Sequence, residues 1–325
     1  MKAWRIGNFN DIKLEEGTLT PGENEVKVRT SKVALSSNDI SSFPSRDNDA
    51  VTIPAHSAIA YICEDDDELG LKLGSRVVVS PFVKTVEHGE STVKTMGVDI
   101  DGLLRDFVSV PTENVFPLPD GIADEEAVFA EYIAMGNKVF SALPCEEGDY
   151  IVVVGAGTLG LVICQMALYY QTVPILVDLD SDKLELAKKW DVYYTLNPTY
   201  DNLERKVQEI TGGRACEAAV FTSEGVDLNS ALRLVKNCGE VVIAGYSNYN
   251  KHDVDMDIVL KKQLKLKGVC DGAGEMPSAI NLLANGIVHT DGIITERAYF
   301  DDVPRIFEEC IKYPYKYNTV LFNID

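Results

Sequence analysis

Residues 150–160 read Tyr150-Ile151-Val152-Val153-Val154-Gly155-Ala156-Gly157-Thr158-Leu159-Gly160. Four β-branched residues in a row read as a strand buried on both faces. A G-x-G-x-x-G pattern follows at once and opens a helix-like stretch. The spacing has a mechanical meaning. Gly155 permits a tight turn, Gly157 lets backbone approach a pyrophosphate, and Gly160 lets the helix pack on the strand. The helix start, at Thr158 and Leu159, offers free N–H groups and a positive dipole end to phosphates.

Working outward, Tyr150 to Val177 contains no charged residue, a length that could span a bilayer. The texture argues for strand, turn, helix and second strand instead, since Val173-Pro174-Ile175-Leu176-Val177 is again a short apolar run. Further strands are predicted at 192–196, 217–221, 240–244 and 264–269, with helical patterns between them such as Ser181–Trp190. Strands alternating with helices imply βαβ units and an α/β, doubly wound parallel sheet. Asp178 ends the second strand, 18 residues after Gly160. A carboxylate there accepts hydrogen bonds from ribose hydroxyls and repels a 2′-phosphate, which favours NAD over NADP. No arginine follows Asp178 before Arg205, so a local clamp for a 2′-phosphate is not evident.

The flanks differ in texture. Residues 1–134 are strand-like and rich in turns, with alternation in Glu25–Arg29 and a β-branched run in Arg76–Val79. The acidic run Glu64–Glu68 reads as a solvated loop. Residues 271–325 carry helical patterns near Ser278–Ala284 and Val303–Lys312, then a strand at Thr319–Phe322. The expected division is therefore 1–134 with 271–325, and 135–270 between them. The chain has 325 residues, enough for two domains at about 100–200 residues each.

Hydrophobic residues make up 46% and charged residues 25%, the balance of a soluble globular chain. The net charge of −21 repels phosphate backbones and anionic membranes, so nucleic acid and membrane are not expected partners. The seven cysteines are odd in number, widely spaced and without a C-x-x-C, which points to free thiols in a reducing, cytoplasmic setting. The first 17 residues hold no apolar segment of the signal-peptide kind.

With these features in order, the sequence resembles the medium-chain dehydrogenase/reductase superfamily, the zinc-type alcohol and polyol dehydrogenases. The likeness covers nearly the whole chain. It rests on Gly22–Val26, on Leu73-Gly74-Ser75-Arg76-Val77 against G-D-R-V, and on Asp101–Phe107 against G-x-x-A-E-Y. Thr211–Arg214, Asn237–Val242 and Lys267-Gly268 continue it. The resemblance implies a β-rich, GroES-like catalytic domain interrupted by the Rossmann domain, with substrate and nicotinamide meeting between them. It also implies contacts of Lys183 with the adenosine ribose and of Thr222 with the cofactor, and assembly as a homodimer or homotetramer.

The metal pattern departs from that family. The C-x-[ST]-D segment reads Ser36-Ser37-Asn38-Asp39, and the G-H-E segment reads Ala55-His56-Ser57. Glu131 keeps a family carboxylate, although Tyr132 follows where a proline is usual. No cysteine lies between Ser80 and Gly102, so the structural-zinc lobe is missing. Catalytic zinc takes three strong protein ligands, and a serine hydroxyl is a poor one. No metal ligand set is therefore expected, and zinc is not expected as a cofactor. Hydrogen-bond donors would replace the Lewis acid. His56 is the candidate acid/base or electrophilic donor, Asn38 orients an oxygen, and Asp39 holds the His56 tautomer. Glu131, Ser36, Ser57 and Tyr132 complete the candidate set.

The function expected is NAD(H)-dependent hydride transfer to or from a small alcohol, polyol or carbonyl compound. Two alternatives are a zinc-independent quinone or enone reductase and a cofactor-binding protein whose catalysis has decayed.

Overall fold

The computed structural model describes residues 1–7, 12–36, 53–65, 70–222, 225–245, 253–313 and 316–324. The chain divides into two compact units. One holds 1–131, 276–285 and 290–325, and the other holds 132–275 and 286–289.

The second unit is the doubly wound sheet. Its strands run, in space, Tyr194–Leu196, Val173–Val177, Tyr150–Val154, Cys216–Phe221, Val235–Ala244 and Lys265–Val269. Every neighbouring pair is parallel. Ile151, Val152, Val153 and Val154 are all fully buried, as a central strand covered on both faces requires. The uncharged 150–177 stretch is thus two strands and the helix Thr158–Tyr169. No described helix is long and apolar enough to cross a membrane.

Strand order reverses beside Tyr150–Val154. The chain moves outward from it to one edge, then returns to Cys216–Phe221 on its other side. Such a switch point opens a crevice beyond the carboxyl ends of the strands, where ligands of this architecture bind.

The first unit is built on a mostly antiparallel sheet. Its long strand Glu25–Ser36 pairs with Ser57–Ile62, Phe107–Pro111 and Thr319–Asn323. Arg76–Val79 and Val115–Pro117 extend one side, and Ile294–Tyr299 extends the other by a parallel pairing. Two separate hairpins, Lys2–Ile6 with Ile12–Glu16 and Phe82–Glu87 with Glu90–Thr95, complete it. The second hairpin occupies the stretch that lacks cysteines. Trp4 packs into this unit's core and donates its indole N–H to the Phe300 carbonyl at 2.7 Å.

The expected elements mostly stand, with shifts at their ends. Val192 is apolar and buried, yet the third strand of the parallel sheet begins only at Tyr194. Its N–H is taken by the Ala187 carbonyl at the end of the preceding helix, which holds it in a turn. The fifth strand begins at Val235, earlier than its apolar core, because the pairing with Cys216 continues across a bulge. The run Glu64–Glu68 is only partly described; Glu64 and Asp65 are exposed, consistent with a solvated loop.

Candidate active site

The cofactor candidates sit within the second unit. Gly155 has φ +111°, a conformation open to glycine, and its N–H donates to the Val177 carbonyl at 2.8 Å. Gly157 caps the helix Thr158–Tyr169, and a Cβ built on it would meet open space. A pyrophosphate lying across the turn would need such an opening. Gly160 is the reverse case. A Cβ there would strike the Gly155 carbonyl oxygen and lie 2.9 Å from its carbon and 3.1 Å from Thr222 Oγ1. Thr158 and Leu159 begin the helix and are buried, with Leu159 packed into the interior.

Asp178 ties the second strand to the glycine turn. Its Oδ2 accepts from the Ala156 N–H at 2.6 Å, and its Oδ1 accepts from the Asp180 N–H at 2.8 Å. Asp180 caps the helix Ser181–Lys188, its Oδ1 accepting from the N–H groups of Asp182 and Lys183. Lys183 stands half-buried in the first turn of that helix. Thr222, just past the fourth strand, bonds through Oγ1 to the carbonyls of Val154 and Gly155, each at 3.2 Å. The glycine turn, Asp178 and Thr222 therefore converge at the carboxyl ends of three adjacent strands.

The described catalytic candidates, Tyr132 apart, fall within the first unit. His56 immediately precedes the strand Ser57–Ile62, and Glu131 lies in the first turn of the helix Ala130–Ala142. Both are 1% exposed, and His56 Nδ1 bonds to Glu131 Oε1. A carboxylate only accepts, so Nδ1 carries the hydrogen, and in the neutral form of the ring the lone pair falls on Nε2. The Ser57 hydroxyl donates to the Val128 carbonyl, so it is engaged in holding the entry to that helix. Ser36 ends the strand Glu25–Ser36 and is half-buried, while Tyr132 is buried in the other unit. Asn38 and Asp39 lie outside the described residues, as does His252. His88 is exposed at a hairpin turn and His289 is exposed in a loop.

Ser36 and Ser57 stand where the family pattern that the sequence resembles has cysteine and glutamate. Among the described residues no group of three or more His, Cys, Asp or Glu is arranged to hold a metal ion.

One feature of this site has no sequence signal of its own. Ala55, in the glycine position of G-H-E, is buried with φ +78°. For a residue with a Cβ this left-handed conformation costs about 1–2 kcal/mol. The surrounding structure must hold it.

A doubly wound sheet with a glycine turn at its switch point in one unit, and a buried His–Glu pair in the other, define a dinucleotide-fold oxidoreductase. Comparisons with known proteins agree. Residues 22–120 match the alcohol dehydrogenase GroES-like domain, and residues 158–285 match the zinc-binding dehydrogenase family. An uncharacterized zinc-type alcohol dehydrogenase-like protein of Haemophilus influenzae is 24% identical over 310 residues, covering 91% of this chain and 90% of its own. The sorbitol dehydrogenase of Bacillus subtilis is 24% identical over 334 residues, covering 96% and 94%. A solved structure described as a short chain alcohol dehydrogenase from Escherichia coli with NADH superposes with a TM-score of 0.85 at 22% identity, covering 100% of this chain and 99% of that one. That last likeness is one of fold. The chain belongs to the medium-chain dehydrogenase/reductase superfamily and is an alcohol-dehydrogenase-like oxidoreductase.

Proposed function

We propose that this protein uses NAD(H) to move a hydride between nicotinamide and a small alcohol, polyol or carbonyl compound, without a catalytic zinc ion. The observation that carries the catalytic half is the buried His56–Glu131 pair. When bound, NAD(H) takes or supplies the hydride, as cofactors carry the hard chemistry. Glu131 fixes the His56 tautomer. In the oxidative direction His56 Nε2 takes the hydroxyl proton as the carbon gives up hydride; in the reverse direction the imidazolium returns that proton to the carbonyl oxygen. Asn38 and Asp39 orient the oxygen and the ring, and Ser36 lies at the same end of its strand.

The donor chemistry does not fit a catalytic zinc. Two serines replace strong ligands, and His56 and Glu131 bond to each other. The dinucleotide does fit. Gly155, Gly157 and Gly160 shape the turn, Thr158 and Leu159 open the helix beneath the phosphates, and Asp178 and Lys183 face the ribose, with Thr222 beside the turn. On this reading residues 135–270 bind the cofactor, and residues 1–134 with 271–325 supply the substrate side. The seven cysteines are all free, which suits a cytoplasmic enzyme, and a homodimer or homotetramer is the proposed assembly.

The test is a panel of polyols, simple alcohols, aldehydes and enones read by NADH absorbance, on protein purified without chelator and assayed for metal. Turnover of alcohols or polyols at sub-stoichiometric zinc supports the reading. Turnover of enones alone, of nothing, or only in proportion to bound zinc overturns it.

Cofactor choice has its own prediction. Replacing Asp178 by alanine removes the charge that repels a 2′-phosphate and the acceptor for ribose hydroxyls. The ratio of NADPH to NADH dissociation constants is expected to fall about tenfold or more, ~1.4 kcal/mol for each tenfold. Fluorescence titration with both cofactors reads it directly, and an unchanged ratio removes Asp178 from the specificity argument.

A further inference from the structure

The backbone leading into His56 is held by a loop far along the chain. Three successive N–H groups, of Gly102, Leu103 and Leu104, donate to the carbonyls of Ile53 at 2.7 Å, Ala55 at 2.9 Å and Pro54 at 3.1 Å. The Asp101 carboxylate completes the stitch, its Oδ1 accepting from the Ile53 N–H at 3.2 Å. Its Oδ2 receives Arg5 Nη1 at 3.2 Å. The approach is close enough that side chains are excluded. A Cβ on Gly97 would lie 2.5 Å from the Ala55 oxygen and 2.6 Å from its carbonyl carbon, and one on Gly102 would strike the carbonyl oxygens of Ala55 and Pro54.

We propose that residues 97–104 form a positioning clamp for His56, with Asp101 as its positioning residue. The downstream side of His56 is fixed by strand pairing, Ser57 lying opposite Ala34. The upstream side is a left-handed alanine, a conformation that the Ala55 side chain disfavours and that the clamp imposes. Released from it, residue 55 relaxes, the His56 Cα turns, and the imidazole loses its set approach to Glu131. Misplacement of a reacting group by about 1 Å costs catalysis heavily while leaving binding elsewhere intact. The clamp rests on the reading of His56 as acid/base for its kinetic consequence, though not for its geometry.

The test uses Asp101→Ala and Asp101→Asn in the full chain. Alanine removes the acceptor for the Ile53 N–H, and asparagine keeps an amide oxygen in its place. Turnover is measured with the alcohol or polyol that the panel shows to react fastest. Histidine ring resonances are followed by NMR on protein labelled at its four histidines. Asp101→Ala is expected to lower kcat about tenfold. The KM and the NADH dissociation constant should stay within about twofold, since both reflect binding that the clamp does not touch. The His56 ring resonances should move while those of His88, His252 and His289 stay. Asp101→Asn is expected to restore both kcat and the His56 resonances. His56 resonances that stay in place in Asp101→Ala, or that asparagine fails to restore, overturn the clamp. Resonances that move without loss of kcat uphold the clamp and instead overturn the acid/base role of His56. Should the alanine variant fail to fold, the asparagine variant alone carries the test, because a merely ionic role for Asp101 predicts that it loses activity.

Discussion

Replacing His56 by glutamine is expected to lower kcat about a thousandfold while leaving the NADH dissociation constant within about twofold. General acid/base groups contribute typically 10²–10⁴ in rate. Glutamine is the informative replacement. Its amide can donate to Glu131 as Nδ1–H does, yet it has no nitrogen basic enough to take a proton from an alcohol. Alanine would remove the partner of a buried carboxylate as well, and breaking a buried pair costs about 3–5 kcal/mol, which mixes catalysis with folding. Glu131→Gln should fall between. An amide oxygen still accepts from Nδ1–H, so the tautomer is kept, but the charge that stabilises an imidazolium is lost. A drop of about tenfold to a hundredfold is expected there. Stopped-flow hydride transfer with matched melting curves separates the effects. Retention of turnover in His56→Gln would remove the histidine from the chemistry.

How far the site could be read in advance depends on whether its causes are local. Tyr150–Gly160 is legible because each constraint lies within a few residues: β-branching makes the strand, and the glycines make the turn. Asp178 is legible because βαβ geometry returns the second strand to the same end at a fixed distance. His56 and Glu131 lie 75 residues apart and are candidates only through likeness to a family pattern; their bond to each other is no part of that reading, which gives the His56 tautomer to Asp39. The geometry of that bond, Nδ1 to carboxylate, is a product of packing. The clamp is marked only by the stretch likened to G-x-x-A-E-Y, in which Asp101 and Gly102 lie, and nothing there points to Ile53–Ala55. Alanine carries no turn signal, so the left-handed Ala55 is invisible until the fold is seen, and the Asp101 bond to Ile53 spans 48 residues. Edge position is also hidden. Lys265–Val269 reads as a strand, but the exposure of Lys265, Leu266, Lys267 and Gly268 follows from being last in the sheet. Val192 shows the opposite failure, an apolar residue that is buried without being in the strand, because burial and pairing are separate requirements.

The glycine turn offers the other large effect, through a contrast between two neighbouring positions. In an exposed helix, alanine is favoured over glycine by about 1 kcal/mol. At Gly160 steric overlap reverses this sign, since the added methyl meets the Gly155 carbonyl and presses on Thr222 Oγ1. Overpacking of this kind costs about 1–3 kcal/mol, occasionally more, and backbone is the least yielding neighbour. Set against the helical gain, Gly160→Ala is expected to destabilise the nucleotide unit by about 2 kcal/mol, lowering its melting midpoint by roughly 4–8 °C for a domain of this size. The movement that relieves the clash displaces Gly155, so NADH affinity should fall more than tenfold as well. Gly157→Ala should behave differently. Its methyl points into open space, so the melting midpoint is expected to stay within about 1 °C. That space is where the pyrophosphate lies on the present reading, and NADH affinity should again fall more than tenfold. Calorimetry and NADH fluorescence on the two variants therefore distinguish a glycine required by the fold from one required by the ligand. If Gly157→Ala bound NADH as the parent does, the dinucleotide could not lie across this turn, and the assignment of Asp178 to its ribose would fail with it.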